Sequence, residues 1–249
     1  MLRITINADD FGLTKSCTKA ISQAFQEQLI TDTTMIANGS AFDYAIEEMI
    51  NCELQDRIGI HFNITEGYPL TEEIKGCATF VNDAGVYIGR INRLKPLSKK
   101  ERQAVYKEFT AQIERLEQAD IHLTHADSHH HIHTAIFIAP IFARVCKEHG
   151  IKKVRLHRNI GNISLFKKLV KAEYNRWLHR KGFVTTDYFG LVDDVEKYGL
   201  FDNLEIMVHP DYDVNGILVD RIDEIDGNAV GKPMTHLEGK YELKGYKDL

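Results

Sequence analysis

Residues 2–10 of the chain read Leu2-Arg-Ile-Thr-Ile-Asn-Ala-Asp-Asp10. Apolar and polar side chains alternate as far as Asn7, a pattern typical of a β-strand. The strand then runs directly into two carboxylates, Asp9 and Asp10. Two adjacent acids on an extended chain point in different directions, so each can take a different task. The simplest structural alternative is that Asp10 serves as the N-cap of the helix that follows.

The rest of the chain repeats this alternation of strand and helix. Strand-like segments are predicted at residues 31–37, 57–63, 122–127, 153–156, 185–189 and 204–208, with 240–249 as a candidate terminal strand. Helical periodicity falls at residues 14–28, 41–50, 98–118, 136–149 and 165–181. Such alternation predicts a parallel sheet with crossover helices. We therefore predict an α/β fold, a distorted (β/α) barrel with mostly parallel strands, as one domain over residues 1–249. A doubly wound open sheet is the alternative, although no GxGxxG motif follows the first strand.

Composition limits the kinds of partner. The chain has 249 residues, with 36 Asp and Glu against 31 Lys and Arg, a net charge of −5 that argues against nucleic acid as the main partner. Apolar runs are too short to span a membrane, and no secretory signal is visible. The four cysteines form no CxxC pair, so we expect reduced thiols in a cytoplasmic protein. The sequence does not determine the oligomeric state, and a homodimer is one candidate.

Titratable or hydrogen-bonding side chains follow most of the predicted strands. In barrel enzymes the active site lies at the carboxyl ends of the parallel strands. The long stretch from residue 65 to 96, with a weak hairpin around Asp83-Ala84-Gly85, is predicted to be a functional loop. The side chains at the strand ends, besides the two acids, are His61 and Asn63, His125 and Asp127, His157 and Arg158, Asp187, and His209.

The segment from His125 to His133 holds five of the twelve histidines within nine residues. Neutral imidazole is the commonest protein ligand of transition metals, and a carboxylate often orients it. Two histidines and one carboxylate leave open coordination positions, as in hydrolytic zinc sites and non-haem iron sites. A second adjacent acid favours hydrolysis, because it can act as a base. The residues alone do not decide which histidines of the cluster bind a metal. His209, held by Pro210, suits a general acid.

Three segments of the chain resemble the signature segments of the YdjC-like carbohydrate deacetylases, which include the chitooligosaccharide deacetylases. They are Asn7-Ala-Asp-Asp-Phe-Gly12, Gly59-Ile-His-Phe-Asn-Ile-Thr65 and Thr124-His-Ala-Asp-Ser-His-His-His-Ile-His133. Met207-Val-His-Pro210 and the closing Leu243-Lys-Gly-Tyr-Lys-Asp-Leu249 are also similar to family segments. Residues 67–95 match the family poorly, and His157 stands where a proline is more usual.

The resemblance implies a distorted barrel that hydrolyses the N-acetyl amide bond of short amino-sugar oligosaccharides with one divalent metal ion. The family's metal ligands would fall on Asp10, His61 and His125. By similarity to the wider polysaccharide deacetylases, Asp9 would be the base and His209 the acid. The family implies Mg²⁺, whereas two imidazole ligands favour Zn²⁺, Co²⁺ or Ni²⁺. Candidate substrate contacts are Asn63, Asp127, His129, His131 and Arg158.

Two rival functions share part of this pattern. A metal-dependent phosphoesterase of barrel fold would also place Asp and His at its strand ends. A non-enzymatic metal-binding protein could use the histidine cluster alone. Phosphoesterases commonly add a second metal and clamping arginines, whereas Arg158 is the one arginine next to a predicted strand end.

Overall fold

The computed structural model describes residues 1–199, 201–221 and 241–249. The strands are β1 (Leu2–Phe11), β2 (Asp32–Met35), β3 (Ile58–Phe62), β4 (Ala126–Ser128), β5 (Tyr188–Leu191), β6 (Leu204–Val208), β7 (Pro210–Tyr212), β8 (Leu218–Asp220) and β9 (Tyr241–Leu243). The helices are α1 (Lys15–Gln26), α2 (Phe42–Asn51), α3 (Glu72–Lys75), α4 (Lys99–Gln118), α5 (Ala139–Glu148), α6 (Leu165–Arg180) and α7 (Val192–Tyr198). Among the described residues, 3₁₀ turns also cover His129–Thr134 and Tyr246–Asp248.

The main sheet is parallel and curled. Its strand order is β4-β3-β2-β1-β6-β5, and β9 pairs with the beginning of β1. Single parallel bridges continue the curl beyond β4, from Ala126 to Val154 and from Lys153 to Val184. Strands β7 and β8 form a separate antiparallel hairpin. This arrangement confirms the predicted distorted barrel with mostly parallel strands.

Local sequence explains where the helices begin. The Thr14 hydroxyl accepts a hydrogen bond from the Cys17 amide at 3.2 Å, so Thr14, and not Asp10, caps α1. Ser98 and Glu101 form the expected capping box at the start of α4. Strand β1 is buried along its length beyond Arg3, because helices pack outside it and the barrel interior lies within.

The predicted strand at 122–127 is shorter and later than the sequence suggested. Strand β4 covers Ala126–Ser128, and the chain then turns sharply through His129–Thr134, here called the histidine segment. His130 and His131 have φ values of 51° and 50°, the left-handed region that few non-glycine residues adopt. The extended strand conformation therefore ends at Ser128. Hairpin β7–β8 was not predicted, and residues 153–156 form only bridges.

Residues 67–95 are mostly irregular, as predicted, with the short helix α3 and an antiparallel bridge from Val81 to Tyr87, and they pack against the core. Ile74, Phe80 and Tyr87 belong to the hydrophobic core. The buried Glu108 carboxylate accepts hydrogen bonds from the backbone amides of residues 70 and 71. No helix among the described residues combines the length and the apolarity that crossing a membrane requires.

Candidate metal and catalytic site

Three possible metal ligands meet at the carboxyl ends of β1, β3 and β4. Asp10 Oδ1 lies 3.2 Å from His61 Nε2 and 2.7 Å from His129 Nδ1. All three ligand atoms lie within 4.8 Å of one another, and all three residues are buried. One carboxylate and two imidazoles, which leave coordination positions for water and substrate, are thus in place at the barrel rim.

Backbone conformation directs Asp10 towards this group. Asp10 adopts a φ of 74°, which aspartate tolerates better than most residues. In this conformation its carboxylate contacts His61 and His129. Its second oxygen, Oδ2, accepts a hydrogen bond from Arg221 at 2.9 Å. Both oxygens of Asp10 therefore face positively charged or polarisable groups.

His61 is held in the orientation that a ligand imidazole needs. Its Nδ1 lies 2.5 Å from Asp127 Oδ1 and 2.9 Å from the Thr34 hydroxyl, which leaves Nε2 facing Asp10. Burial would lower the pKa of His61, but the carboxylates of Asp127 and Asp9 raise it to about 10. The surroundings of Nε2 thus strongly favour a positive charge at this place.

Asp9 is tied to a buried arginine. Arg155 donates from its two terminal nitrogens to the two oxygens of Asp9, at 2.6 Å each, and its Nε donates to Glu205 at 2.7 Å. Arg155 also contacts Asp127, at 2.5 Å. Burial would raise the pKa of Asp9, but Arg155 and then His61 outweigh it and hold that pKa well below its usual range. Asp9 is therefore an ionised carboxylate in a fixed orientation.

His209 approaches the same carboxylate from β6. Its Nε2 lies 3.9 Å from Asp9 Oδ2, on the side that faces His61, whose Nε2 is 4.0 Å away. Its backbone amide donates to Asp220 at 3.2 Å, so hairpin β7–β8 holds this residue in place. Among the described residues, its buried Nδ1 has no hydrogen-bond partner. The structure thus brings Asp9, Asp10, His61 and His209 together.

His125 lies apart from this group, in contrast to the ligand set that the resemblance implied. Its Nε2 donates to Asn7 Oδ1 at 3.0 Å, and its Nδ1 lies 2.8 Å from the Thr124 hydroxyl. Burial, and then Arg155, push the pKa of His125 well below its usual range, so the ring is neutral. With both nitrogens engaged by protein, His125 has no free atom for a metal. His129, four residues later, stands where His125 was expected.

A second grouping of potential ligands adjoins the first. His129 Nε2 lies 3.1 Å from Glu66 Oε2, and His130 is close enough to join them. Glu66 and His130 are exposed, unlike the first group. Because both groupings depend on the one imidazole of His129, they are two faces of a single site.

The other predicted substrate contacts are distributed unevenly. Asp127 binds His61 and Arg155, so it faces protein atoms. Asn63 accepts backbone amides of residues 65 and 66 in a local turn. Arg158 donates instead to Asp194, at 2.5 Å. Burial, and then the positive charge of Arg155, hold the pKa of His131 well below its usual range, so its ring is neutral.

Sequence reasoning missed three charged residues of the site. Arg155 stands between apolar Val154 and Leu156, and this alternation was the available signal that it points into the barrel. Glu66 and Arg221 lie outside the predicted strands, and only the folded chain brings them to Asp10 and His129.

Comparison with known proteins assigns the chain to a group. A family described as YdjC-like protein matches residues 3–230. Carbohydrate deacetylase 1 of Listeria innocua serovar 6a is 29% identical over 256 residues, covering 100% of both chains. The carbohydrate deacetylase of Halalkalibacterium halodurans is 30% identical over 216 residues, covering 85% of this chain and 86% of that protein.

A solved structure has a similar fold. It is an Enterococcus faecalis protein described as a cellobiose-phosphate cleavage protein. The two structures match with a TM-score of 0.67 and 20% sequence identity, over 86% of this chain and 83% of that chain. At this level of identity the likeness concerns the fold.

Proposed function

The chain belongs to the YdjC-like protein family, and from that membership and the site geometry we propose that it is a metal-dependent carbohydrate deacetylase. It would hydrolyse the N-acetyl amide bond of short amino-sugar oligosaccharides of the chitooligosaccharide type. The observation that carries the proposal is the buried set of Asp10, His61 and His129 beside the fixed carboxylate of Asp9. Relatives named carbohydrate deacetylase over the full length support it. The four free cysteines agree with a cytoplasmic location.

The donor set fits a divalent ion. Asp10, His61 and His129 supply one oxygen and two nitrogen ligands, and Asp127 orients His61 as a ligand histidine is usually oriented. Nitrogen ligands favour Zn²⁺, Co²⁺ or Ni²⁺ over Mg²⁺ on physical grounds, although family resemblance implies Mg²⁺. When bound, such an ion supplies Lewis-acid polarisation of a carbonyl and acidifies water.

The protein's own groups then divide the proton transfers. Asp9, ionised and held by Arg155, takes the proton from the attacking water through the Oδ2 lone pair that faces His61 and His209. His209, whose Nε2 lies 3.9 Å from that oxygen, gives a proton to the departing amine. Arg155 keeps the Asp9 carboxylate from rotating, because it binds both of its oxygens. Acetate and a free amino sugar are the products.

The size of the substrate is part of the same proposal. Asp9, Asp10 and His61 are each about 1–2% exposed, whereas Glu66 and His130 beside them are exposed and the Arg221 side chain is 37% exposed. As part of the same proposal, we take oligomers of two or three sugars, with or without a phosphate group, as the substrates in preference to a polymer.

A release assay tests this proposal directly. The purified protein is supplied separately with Mg²⁺, Zn²⁺, Co²⁺ and Ni²⁺ and incubated with N-acetylated chitobiose and chitotriose, their phosphorylated forms, long chitin and simple phosphomonoesters. Acetate and inorganic phosphate are measured in each reaction. We expect acetate from the short oligomers and little from the polymer. Phosphate release without acetate would favour the phosphoesterase, and release of neither product would reject both.

A further inference from the structure

The C-terminal segment passes beneath the site, at the opposite end of the barrel from the metal ligands. Strand β9 pairs with Leu2–Ile4 of β1, and Thr5 donates to the Lys244 carbonyl at 2.9 Å. The Tyr246 amide donates to Asp32 at 3.0 Å, and Lys153 donates to the Tyr246 carbonyl at 2.6 Å. These anchors, from β1, β2 and the bridge beyond β4, place the Tyr246 side chain inside the barrel, where it is fully buried.

One chain of contacts connects the Tyr246 hydroxyl to Asp9. The hydroxyl donates to Glu205 Oε2 at 2.6 Å, Glu205 Oε1 accepts from Arg155 Nε at 2.7 Å, and Arg155 binds both oxygens of Asp9. Burial, and then Glu205, raise the pKa of Tyr246 well above its usual range, so it remains a donor. Arg155 has its direction fixed by carboxylates at both ends of the guanidinium, and Tyr246 fixes one of them.

A second series of contacts connects the ring of Tyr246 to the same carboxylate. The ring stacks on His125, with centroids 3.7 Å apart and planes 6° from parallel. His125 Nε2 donates to Asn7 Oδ1 at 3.0 Å, and Asn7 Nδ2 donates to Asp9 Oδ1 at 2.9 Å. Gly59 makes room for the stack, because a Cβ there would lie 2.6 Å from the His125 ring. Both series of contacts begin at Tyr246 and end at Asp9, and neither includes a proposed metal ligand.

We propose that Tyr246 is a positioning residue for the Asp9 carboxylate, acting through Glu205 and Arg155 on one side and through His125 and Asn7 on the other. The inference rests on the proposed function, because it requires Asp9 to act in the reaction. It gives His125 a task other than metal binding. It also explains why a buried arginine with three carboxylate neighbours is kept beneath the site, since buried ion pairs add little to stability by themselves.

Two substitutions distinguish the contribution of the hydroxyl contacts from that of the ring contacts. Tyr246→Phe removes the hydroxyl and keeps the ring, so we expect kcat to fall roughly tenfold. Tyr246→Leu removes both contacts and should lower kcat about 100-fold, the upper part of the range for residues that hold a functional group from behind. KM and the Zn²⁺ dissociation constant should stay within about twofold of wild type, because no metal ligand is touched. If Tyr246→Phe does not fold, Glu205→Gln tests the same hydroxyl contacts, because Glu205 connects Tyr246 to Arg155.

Tyr106→Phe is the matched control. It removes a tyrosine–glutamate hydrogen bond of 2.8 Å, to Glu148 on the outer helices, and should leave kcat unchanged. In an Asp9→Asn background, Tyr246→Phe should change the residual kcat less than about twofold. An equal loss in both backgrounds, or unchanged kcat in Tyr246→Phe with an active wild type, would overturn the positioning role. A wild type that releases no acetate would reject the proposed function, and the positioning role with it.

Discussion

At the scale of single residues, the site depends on two carboxylates that differ in their partners although they are neighbours in sequence. Asp9 is bound by Arg155, which keeps it ionised and immobile. Asp10 faces His61 and His129. The sequence suggested two tasks for the pair, but it offered no means to see the arginine, because Arg155 lies 146 positions away.

The division of labour between base and acid predicts matched losses of turnover. Asp9→Asn and His209→Ala, compared at equal metal occupancy, should each lower kcat roughly 10²–10⁴-fold, the usual contribution of a positioned acid or base. Activity should follow a bell-shaped pH profile. The acidic limb should lie low, because Arg155 and His61 hold the pKa of Asp9 down despite its burial. Initial rates of acetate release across pH measure both effects.

Near-normal turnover in His209→Ala would contradict its role as the acid. The acid would then be sought among the other histidines of the cluster from His125 to His133. Circular dichroism and bound metal, measured on each variant, separate a chemical loss from an unfolded protein.

At the scale of elements, strand β2 holds the C-terminal segment through a carboxyl group that is costly to ionise. Asp32 is buried and accepts the Tyr246 amide, while its Oδ2 has no hydrogen-bond partner among the described residues. Burial raises the pKa of Asp32 to about 6. Between roughly pH 4, the pKa of an unfolded aspartate, and pH 6, the folded state binds more protons than the unfolded state. The Asp32 contribution to the free energy of unfolding therefore falls as pH rises through this window.

Asp32→Asn should remove this dependence. The amide oxygen can still accept the Tyr246 N–H, and no charge has to be buried. We expect the variant to exceed wild type in free energy of unfolding by about 1–3 kcal/mol at pH 8, and by less at pH 5. Urea unfolding at both pH values measures the difference, and Asp83→Asn, on the surface, is the control. A variant less stable than wild type at pH 8 would mean that the ionised carboxylate is used in the fold.

The histidine segment is the element whose details the sequence could not settle. The cluster from His125 to His133 predicted a site, but the backbone of the histidine segment includes two left-handed residues, His130 and His131, that turn the chain after β4. Propensity does not predict such a turn at histidine, because hydrogen bonds to distant residues hold it in place: His130 Nδ1 lies 3.0 Å from the Thr65 hydroxyl, and Arg93 donates to the His130 carbonyl. The ring that reaches Asp10 belongs to His129. The ring of His125 instead stacks on Tyr246.

At the scale of the whole molecule, the alternation of strands and helices was sufficient to predict a barrel and the rim on which the site lies. The periodicity is local, and each strand end could be identified from its own neighbours. Contacts that join distant parts could not be predicted in this way. Hairpin β7–β8 supports His209, and Tyr246 lies beneath His125, but both contacts depend on how the sheet curls.

The central claim is that Asp10, His61 and His129 together bind the divalent ion that deacetylation requires. Its most direct test is the number of divalent ions bound per chain, counted by elemental analysis after dialysis, in wild type, His129→Ala and His125→Ala. Thermal unfolding confirms beforehand that each variant is folded. We predict about one ion in wild type and in His125→Ala, and almost none in His129→Ala. Full occupancy in His129→Ala together with loss in His125→Ala would contradict this account.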